Sequence, residues 1–154
     1  MERNNIEIRI IDKEKSIFTT QPIKKDTIIF EFEKKFLKHP TRTSMQIDEG
    51  IHQECNNPDA FENLLNHACN PNGYIKFSDL TYRALRNIKK GEELTFNYLT
   101  TEWDLFNKFQ CHCNFTNCYG QIKGFKYLTL KQQQKLEPLL SPYLKKKLAN
   151  NYIK

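Results

Sequence analysis

The sequence lacks any apolar run close to the ~20 residues that a membrane-spanning helix requires. Its first ten residues, MERNNIEIRI, are charged and have no apolar core of the kind found in secretion signals. Internal repeats and low-complexity segments are missing as well. We therefore expect a soluble intracellular protein with no membrane partner. Nucleus and cytoplasm are not distinguished, and export into a host cell by another route stays open.

The sequence also lacks an even number of cysteines: it has five. Without a secretion signal, this argues against a disulfide framework and favours reducing conditions. Three of the cysteines lie within eight residues in the pattern C-x-C-x4-C: Cys111, Cys113 and Cys118. Such a cluster of thiolates predicts a zinc site, which needs a fourth ligand. Cys69 is the better candidate and Cys55 the weaker one, whereas His112 should point away. Reduced cysteines without a metal are the alternative.

The length and the composition indicate one globular domain with an appendage. The chain has 154 residues, of which 38% are hydrophobic, 12% aromatic and 27% charged. The formal net charge is +6, and residues 131–154 carry six lysines, including Lys154, against the single acidic residue Glu137. A solvated helix face is the ordinary explanation of such a run, and binding to nucleic acid is the alternative.

The first hundred residues predict a domain made mainly of short strands. Six segments concentrate β-branched and aromatic residues: IEIRII, SIFTT, TIIFEFE, GYIKF, LTYRAL and ELTFNY. After Gly120 the pattern changes, and leucines recur at the three-and-four spacing of an amphipathic helix between residues 136 and 148. Pro138 and Pro142 would break a single helix, so we predict two short ones, capped by Thr129 and Ser141.

Three motifs together resemble the SET domain of protein lysine methyltransferases, followed by a post-SET zinc segment. They are NHACNPN at 66–72, KKGEELTFNY at 89–98 and CHCNFTNC at 111–118. The resemblance covers roughly residues 8–125, mostly from residue 62 onward, and is to small stand-alone SET proteins. It implies a mainly β (β-rich α+β) fold of short curled sheets with a pseudoknot, a zinc-bound post-SET segment and C-terminal helices. The expected boundaries are 1–105 for the SET domain, 106–125 for the post-SET segment and 126–154 for a helical extension.

The same resemblance implies two binding sites that share the opening motif. Six residues would contact S-adenosylmethionine, partly through backbone atoms: Ser16, Ile17, Phe18, Asn66, His67 and Phe109. Phe109 could equally be an ordinary core aromatic. Cys69 would complete the zinc site of the three clustered cysteines. The metal would then hold the post-SET segment against the active site.

Two aromatic residues of the second motif occupy catalytic positions in the resemblance. Tyr98 would be the catalytic tyrosine, orienting the amine and the methyl group. Phe96 would set the space around the lysine nitrogen, and a phenylalanine there implies dimethyl or trimethyl products. Burial in the core is the alternative for both side chains.

Several positions depart from the usual pattern of the family. The stretch from Glu14 to Thr19 lacks the two glycines of the element that approaches the cofactor, and Asn97 stands where an aspartate is common. Asn114 replaces a glycine and tolerates a left-handed backbone.

An insert that contains Thr41–Ile47 and His52 corresponds, in the resemblance, to the region that helps to form the peptide groove.

We therefore expect a methyltransferase that uses S-adenosylmethionine and zinc to modify lysine side chains of proteins, with histone tails among the possible substrates. One alternative is a catalytically impaired SET-like module that binds protein. Another is a zinc-stabilised basic protein that binds nucleic acid, which is the less favoured partner. The sequence predicts neither the oligomeric state nor the target lysine.

Overall fold

The computed structural model describes residues 5–151 of the chain. Within them lie twelve short strands: β1 (Ile6–Ile11), β2 (Glu14–Thr19), β3 (Ile28–Glu31), β4 (Phe36–Leu37), β5 (Met45–Asp48), β6 (Ile51–Gln53), β7 (Asn66–His67), β8 (Gly73–Lys76), β9 (Thr81–Ala84), β10 (Thr95–Phe96), β11 (Phe109–Gln110) and β12 (Gln121–Ile122). Two α-helices follow, α1 (Leu130–Leu136) and α2 (Pro142–Asn151). Single 3-10 turns lie at Phe61–Leu64, Tyr98–Thr100, Phe125–Tyr127 and Glu137–Leu139. The predicted mainly β architecture with C-terminal helices is confirmed. Lys154 and the outer ends of the predicted domains, residues 1–4 and 152–154, lie outside the described residues.

The strands form five small sheets rather than one large one. Two of them have three strands, in the orders β3-β9-β8 and β4-β6-β5, and three are pairs: β1-β2, β11-β12 and β7-β10. The β7-β10 pair is parallel and the other pairings are antiparallel. Asp12 and Lys13 both have positive φ between β1 and β2, which is the backbone that a two-residue hairpin turn requires. The predicted short sheets are therefore present.

The six predicted strand segments each contain a strand, and the differences lie elsewhere. In ELTFNY only Thr95–Phe96 is strand, because the chain turns into the 3-10 helix at Tyr98. The sheet β4-β6-β5, which we call the insert sheet, was not predicted. Its strands have two to four residues and carry polar side chains such as Gln46, His52 and Gln53, so they lack a strand pattern long enough to detect.

The N-terminal core is a cluster of buried residues from the strands and the segments that connect them: Ile6, Ile17, Ile29, Phe30, Phe32, Met45, Leu65, Ile75, Leu80, Tyr82, Ala84, Ile88, Leu94 and Phe96. Tyr82 is fully buried, and its ring lies 5.1 Å from that of Phe30. Gly73 is required beside it, because a Cβ there would lie 2.2 Å from the Tyr82 ring. These contacts fix β8 and β9 on the body of the domain.

The C-terminal core is a second cluster: Leu99, Cys111, Ile122, Phe125, Leu136, Leu140, Tyr143, Leu144 and Leu148. Thr129 and Gln132 form a capping box at the start of α1. Ser141 Oγ accepts the backbone N–H of Leu144 (3.2 Å), and Pro142 is the first residue of α2. The two predicted helices, their caps and their leucine stripe are confirmed.

The lysines near the end of the chain lie on the outside of the C-terminal core. Lys145 and Lys146 are exposed, and Lys147 pairs with Glu49 (3.4 Å). This is the arrangement of a solvated helix face, and nucleic-acid binding stays an alternative prediction. No helix among residues 5–151 is both long enough and apolar enough to cross a membrane.

Candidate active site and metal centre

The parallel pairing of β7 with β10 brings the first and second motifs side by side. Asn66 lies opposite Thr95 and His67 lies opposite Phe96. The backbone N–H of Ala68 then donates to the carbonyl of Phe96 (3.1 Å), which continues the contact beyond the two-residue ladder. Segments about thirty residues apart in the sequence therefore meet at one place, as the predicted pseudoknot requires.

Asn66 is held by both hydrogens of its side-chain amide. Nδ2 donates to Ser16 Oγ and to Glu93 Oε1, both at 2.8 Å. This leaves Oδ1 as the acceptor that the amide can offer to a ligand. Ser16 is 5% exposed and stands where the family pattern has glycine. Because its hydroxyl accepts a hydrogen from Nδ2 of Asn66, Ser16 helps to orient that amide.

His67 joins the second motif to the cysteine cluster. Its Nδ1 accepts the backbone N–H of Tyr98 (3.1 Å), and its Nε2 lies 3.3 Å from Cys69 Sγ. Burial lowers the pKa of His67 to about 4, which keeps the ring neutral. The proton of a neutral ring that accepts at Nδ1 lies on Nε2, so the ring donates to the sulfur. Both ring nitrogens are thus engaged, and the side chain has no free polar atom for a cofactor.

Tyr98 is half-buried at the start of the 3-10 helix, and its hydroxyl donates to the carbonyl of Leu65 (2.7 Å). Burial, reinforced by the nearby Glu102 and Glu93 carboxylates, raises the pKa of the Tyr98 phenol well above its usual range. The phenol therefore stays protonated at physiological pH. Because its hydrogen is committed to Leu65, its oxygen is left to act as an acceptor.

Three other rings surround Tyr98. The centroid of Phe96 lies 4.9 Å away, that of His67 lies 5.3 Å away in an edge contact, and that of Phe109 lies 6.2 Å away. Phe96 is buried, whereas Phe109 is 37% exposed. Phe109 is therefore not an ordinary core residue, and its exposed ring forms one wall of the region around Tyr98.

The other two predicted cofactor residues are placed differently. Ile17 is fully buried in the N-terminal core, and its carbonyl accepts the N–H of Leu94 (2.8 Å). The half-buried ring of Phe18 lies under the Arg9 guanidinium, 4.4 Å from its centroid. Of the Ser16–Phe18 stretch, Ser16 is the residue that reaches the Asn66 side chain.

Four cysteines form a compact cluster beside His67. The sulfurs of Cys69, Cys111, Cys113 and Cys118 all lie within 4.8 Å of one another. The Cys69 sulfur is 3.8 Å from that of Cys111 and 3.7 Å from that of Cys118. Tetrahedral zinc with Zn–S bonds of about 2.3 Å places its sulfurs about 3.8 Å apart, so the spacing fits zinc and is too wide for disulfides.

Backbone groups support this cluster in the way that a metal site requires. The N–H of Tyr119 donates to Cys69 Sγ and that of Gly120 donates to Cys118 Sγ, both at 3.4 Å. Hydrogen bonds of this kind stabilise thiolate ligands. Asn114 has φ +52°, in agreement with the left-handed backbone expected there.

The weaker ligand candidates lie outside the cluster. Cys55 is buried elsewhere, with its sulfur 3.7 Å from Gln53 Nε2, and His112 is exposed. Within residues 5–151, the four clustered cysteines are the one set of three or more metal-binding side chains found close together.

Asn97 has a local structural role that suits an amide. It is 2% exposed, and its Oδ1 accepts the N–H of Leu99 (3.0 Å), which caps the 3-10 helix. A neutral side chain avoids the cost of burying a charge here. The change from the common aspartate therefore keeps the backbone of Tyr98 in place.

The sequence did not point to three residues that the structure places next to the site. Glu93 binds Asn66, and the buried pair Gln46 and Glu102 connects the insert sheet to the segment after Tyr98. Glu93 lies in the second motif, so its position in the sequence could have identified it as a residue near the site. Gln46 and Glu102 are 56 positions apart, so nothing in the sequence relates them.

Comparisons with known proteins agree with this geometry. The SET domain family model matches residues 14–99, and the chain belongs to that family. Among curated proteins it is similar to methyltransferase flvH of Aspergillus flavus, with 36% identity over 86 residues, which cover 54% of this chain and 47% of the relative. It is also similar to the histone-lysine N-methyltransferase, H3 lysine-36 specific, of Mycosarcoma maydis, with 29% identity over 79% of this chain and 15% of the relative. The chain thus spans less than half of the length of these relatives.

Solved structures share the fold. A crystal structure of KRYPTONITE in complex with mCHG DNA and SAH superposes with a TM-score of 0.62 at 19% identity, and covers 76% of this chain and 28% of that one. A second, in complex with mCHH DNA, H3(1-15) peptide and SAH, has a TM-score of 0.57 at 18% identity and covers 76% of this chain and 29% of that one. These similarities establish a SET-type fold for this chain.

Proposed function

We propose that this chain transfers methyl groups from S-adenosylmethionine to lysine side chains of a protein. The observation that carries the proposal is the convergence, within a SET fold, of Asn66, Tyr98 and the four-cysteine cluster. Two kinds of similarity support it. A relative carries the name of a histone-lysine N-methyltransferase, and the similar structures were solved with SAH.

The cofactor would lie against Asn66, where Ser16 and Glu93 fix the amide with Oδ1 free to accept. Phe109 would supply an apolar wall. His67 would contribute through its backbone and its ring face, since both of its ring nitrogens are engaged. When bound, S-adenosylmethionine supplies an electrophilic methyl group on a sulfonium.

Tyr98 would orient the acceptor amine. Its hydroxyl donates to Leu65, so the phenol oxygen can accept an N–H of the lysine and point the nitrogen lone pair at the methyl carbon. With S-adenosylmethionine bound, the amine would form the new N–C bond as the S–C bond breaks, and S-adenosylhomocysteine would be the leaving group. The product ammonium must lose a proton to solvent before another transfer. The rings of Phe96 and Phe109 would keep competing water away.

Zinc fits the four-cysteine cluster, which would have a positioning role. Cys69 lies two residues after His67, and Cys111 lies two residues after Phe109. A metal bound by both thiolates would hold the post-SET segment against β7, and with it the Phe109 wall. We propose that the SET domain (1–105), the post-SET segment (106–125) and the helical extension (126–154) are separate functional units, although residues of the last two pack in the same C-terminal core.

The acceptor would enter between the insert and Tyr98. The insert reaches this region, because the backbone N–H of Gln46 in β5 donates to Oε1 of Glu102 (2.7 Å), four residues after Tyr98. A histone H3 tail is the first acceptor to test, because a relative is named for H3 and one similar structure holds an H3 peptide. The phenylalanine at position 96 supports dimethyl or trimethyl products.

A catalytically impaired binding module is the second candidate. The observation that favours it is the Ser16 hydroxyl, which stands where the family has glycine and already binds Asn66. If that side chain blocks the cofactor, the protein would retain the fold without the reaction. Calorimetry with S-adenosylhomocysteine separates the two candidates, because the module would not bind it.

The test of the enzyme is transfer of labelled methyl from S-adenosylmethionine to a panel of recombinant histones and other proteins. Tyr98→Phe should lower the rate on the order of 100-fold, because it removes the acceptor oxygen beside the reacting amine. Tyr127→Phe is the matched control, since Tyr127 is an exposed tyrosine of the C-terminal part.

The outcomes separate clearly. Incorporation that falls in Tyr98→Phe and not in Tyr127→Phe supports the enzyme. Equal rates in the two variants contradict the role of Tyr98. No incorporation into any acceptor, together with no binding of S-adenosylhomocysteine, contradicts the enzyme and supports the binding module.

A further inference from the structure

Glu102 is a buried carboxylate that the proposed chemistry does not use. It follows the 3-10 helix of Tyr98 and is 6% exposed. Among the described residues, no lysine, arginine or histidine forms an ion pair with it. Its Oε1 instead accepts the backbone N–H of Gln46 (2.7 Å) and the hydroxyl of Thr101 (3.0 Å). An unpaired carboxylate is costly to bury, so these neutral donors are what retain it.

Gln46 returns the contact. Its side-chain Oε1 accepts the backbone N–H of Trp103 (2.9 Å), next to Glu102, and its Nε2 donates to the carbonyl of Asp48 (3.2 Å). Gln46 belongs to β5 of the insert sheet and is 7% exposed. Each side chain therefore binds the backbone of the other segment, and we call this reciprocal pair the Gln46–Glu102 clasp.

The clasp lies next to the catalytic tyrosine along the backbone. The N–H groups of Thr101 and Glu102 both donate to the carbonyl of Tyr98, at 3.1 and 2.9 Å. The carbonyl of Glu102 also accepts the N–H of Phe125 (2.8 Å), which belongs to the C-terminal core. Glu102 thus stands where the insert sheet, the Tyr98 segment and the C-terminal core meet.

We propose that Glu102 is a positioning residue that, through the Gln46–Glu102 clasp, fixes the insert sheet relative to Tyr98 and so sets the width of the acceptor cleft. The proposal rests on the proposed function, because it concerns how an acceptor reaches Tyr98. It predicts that loss of the clasp weakens acceptor use and leaves cofactor binding intact, since Asn66, Ser16 and Glu93 lie outside the clasp.

The chain offers matched variants. Glu102→Leu removes the acceptor oxygen, whereas Glu102→Gln keeps one and should rescue the contact. Gln46→Leu removes the other half of the clasp. Gln53→Leu is its control, because Gln53 is a buried glutamine of the same sheet whose Nε2 donates to the carbonyl of Glu33, in the segment between β3 and β4 (3.0 Å).

Two measurements test the proposal. With recombinant histone H3, or another acceptor from the panel if H3 is not methylated, Glu102→Leu and Gln46→Leu should raise the KM for acceptor about tenfold relative to Gln53→Leu. The affinity for S-adenosylhomocysteine in calorimetry should stay within about twofold of wild type. Glu102→Gln should keep the wild-type KM.

Backbone amide exchange by NMR does not depend on activity. In Glu102→Leu the amides of Gln46 and Trp103 should both exchange at least about tenfold faster, and in Gln53→Leu neither should. Exchange rates that rise equally in Glu102→Leu and Gln53→Leu, or KM values that rise equally in Gln46→Leu and Gln53→Leu, overturn the proposal. A Glu102→Gln variant as impaired as Glu102→Leu overturns it as well. If the wild type methylates nothing, the proposed function fails, and the exchange rates alone decide whether the clasp joins the two segments.

Discussion

The two hydrophobic cores of this protein are built by different means. The N-terminal core consists of residues of short strands and of the segments between them, such as Tyr82 and Leu94, and contains none of the four clustered cysteines. The C-terminal core joins two short helices to Cys111, with the other three cysteines packed against it or beside it. We therefore expect the first to form by burial of apolar surface alone and the second to depend also on a site that a metal would close.

The boundary between the cores falls inside the second motif. Phe96 belongs to the N-terminal core and Leu99 to the C-terminal core, and Tyr98 stands between them. His67 spans the same boundary from the side, with one ring nitrogen on Tyr98 and the other on Cys69. The candidate active site thus lies at the boundary between the two cores. Any change that shifts one core relative to the other should therefore alter the positions of Tyr98 and His67.

The largest expected effect comes from removal of the metal. Structural zinc sites contribute on the order of 10 kcal/mol of apparent binding energy, so Cys113→Ser or a strong chelator should unfold the C-terminal core. The N-terminal core should persist, with the amide of Tyr82 still protected from exchange. Zinc content by mass spectrometry and amide exchange by NMR measure both parts.

Cys55→Ser is the control for that experiment, because Cys55 lies outside the cluster. It should keep one zinc per chain. A Cys113→Ser protein with full zinc and a folded C-terminal core would show that the two cores do not differ in the way described.

Cavity variants compare the cores directly. Leu144 and Leu94 are both fully buried, one in each core, and replacement by alanine should cost about 2–5 kcal/mol in either place. Leu144→Ala should in addition speed the loss of zinc to a chelator, because its core includes Cys111. Denaturant unfolding and the rate of zinc transfer to a chromogenic chelator measure the two effects. Equal rates of zinc loss in the two variants would mean that the metal site does not depend on the C-terminal core.

The pH dependence of stability probes the contact between the regions. Burial raises the pKa of Glu102 from 4.5 to about 7. Between these values the folded state binds more protons than the unfolded one, so the stability that Glu102 contributes is full below about pH 4.5 and is lost as pH rises through about 7. The loss is about 3 kcal/mol at most.

Glu102→Gln should remove this slope, which is measured as the difference between wild type and variant in denaturant unfolding from pH 4.5 to 8. Glu137→Gln serves as the control, because Glu137 forms an exposed ion pair with Lys145. A wild type and a Glu102→Gln variant with the same pH dependence would contradict the raised pKa.

The smallest effect on stability and the most specific effect on product are expected from Phe96→Tyr. Phe96 is 7% exposed, and its ring lies 4.9 Å from that of Tyr98. A hydroxyl that reaches the lysine nitrogen should restrict the product to monomethyl-lysine, with a stability change of about 1 kcal/mol. Mass spectrometry of the product at long times is the measurement. An unchanged product distribution would place the new hydroxyl in the N-terminal core instead of the cleft.

The sequence predicted the elements that depend on local patterns. The strands of IEIRII and GYIKF, the caps at Thr129 and Ser141 and the left-handed Asn114 follow from side-chain periodicity and backbone preference. The insert sheet was missed because strands of two to four residues exist only through their partners. Ile17 was expected at the cofactor through its backbone, which stays a prediction. That its side chain faces the core is something that a stretch of strand does not reveal without its sheet.

The sequence by itself determined the family, the order of the three motifs and the set of thiols from which a metal site can form, because these depend on residue type and spacing along the chain. Only the tertiary structure brought Cys69 next to the other three cysteines, placed His67 between Tyr98 and the cysteines and joined Gln46 to Glu102. These contacts link residues that are 31 to 56 positions apart. Such contacts are set by how separate sheets pack, and packing depends on the whole chain rather than on any one segment.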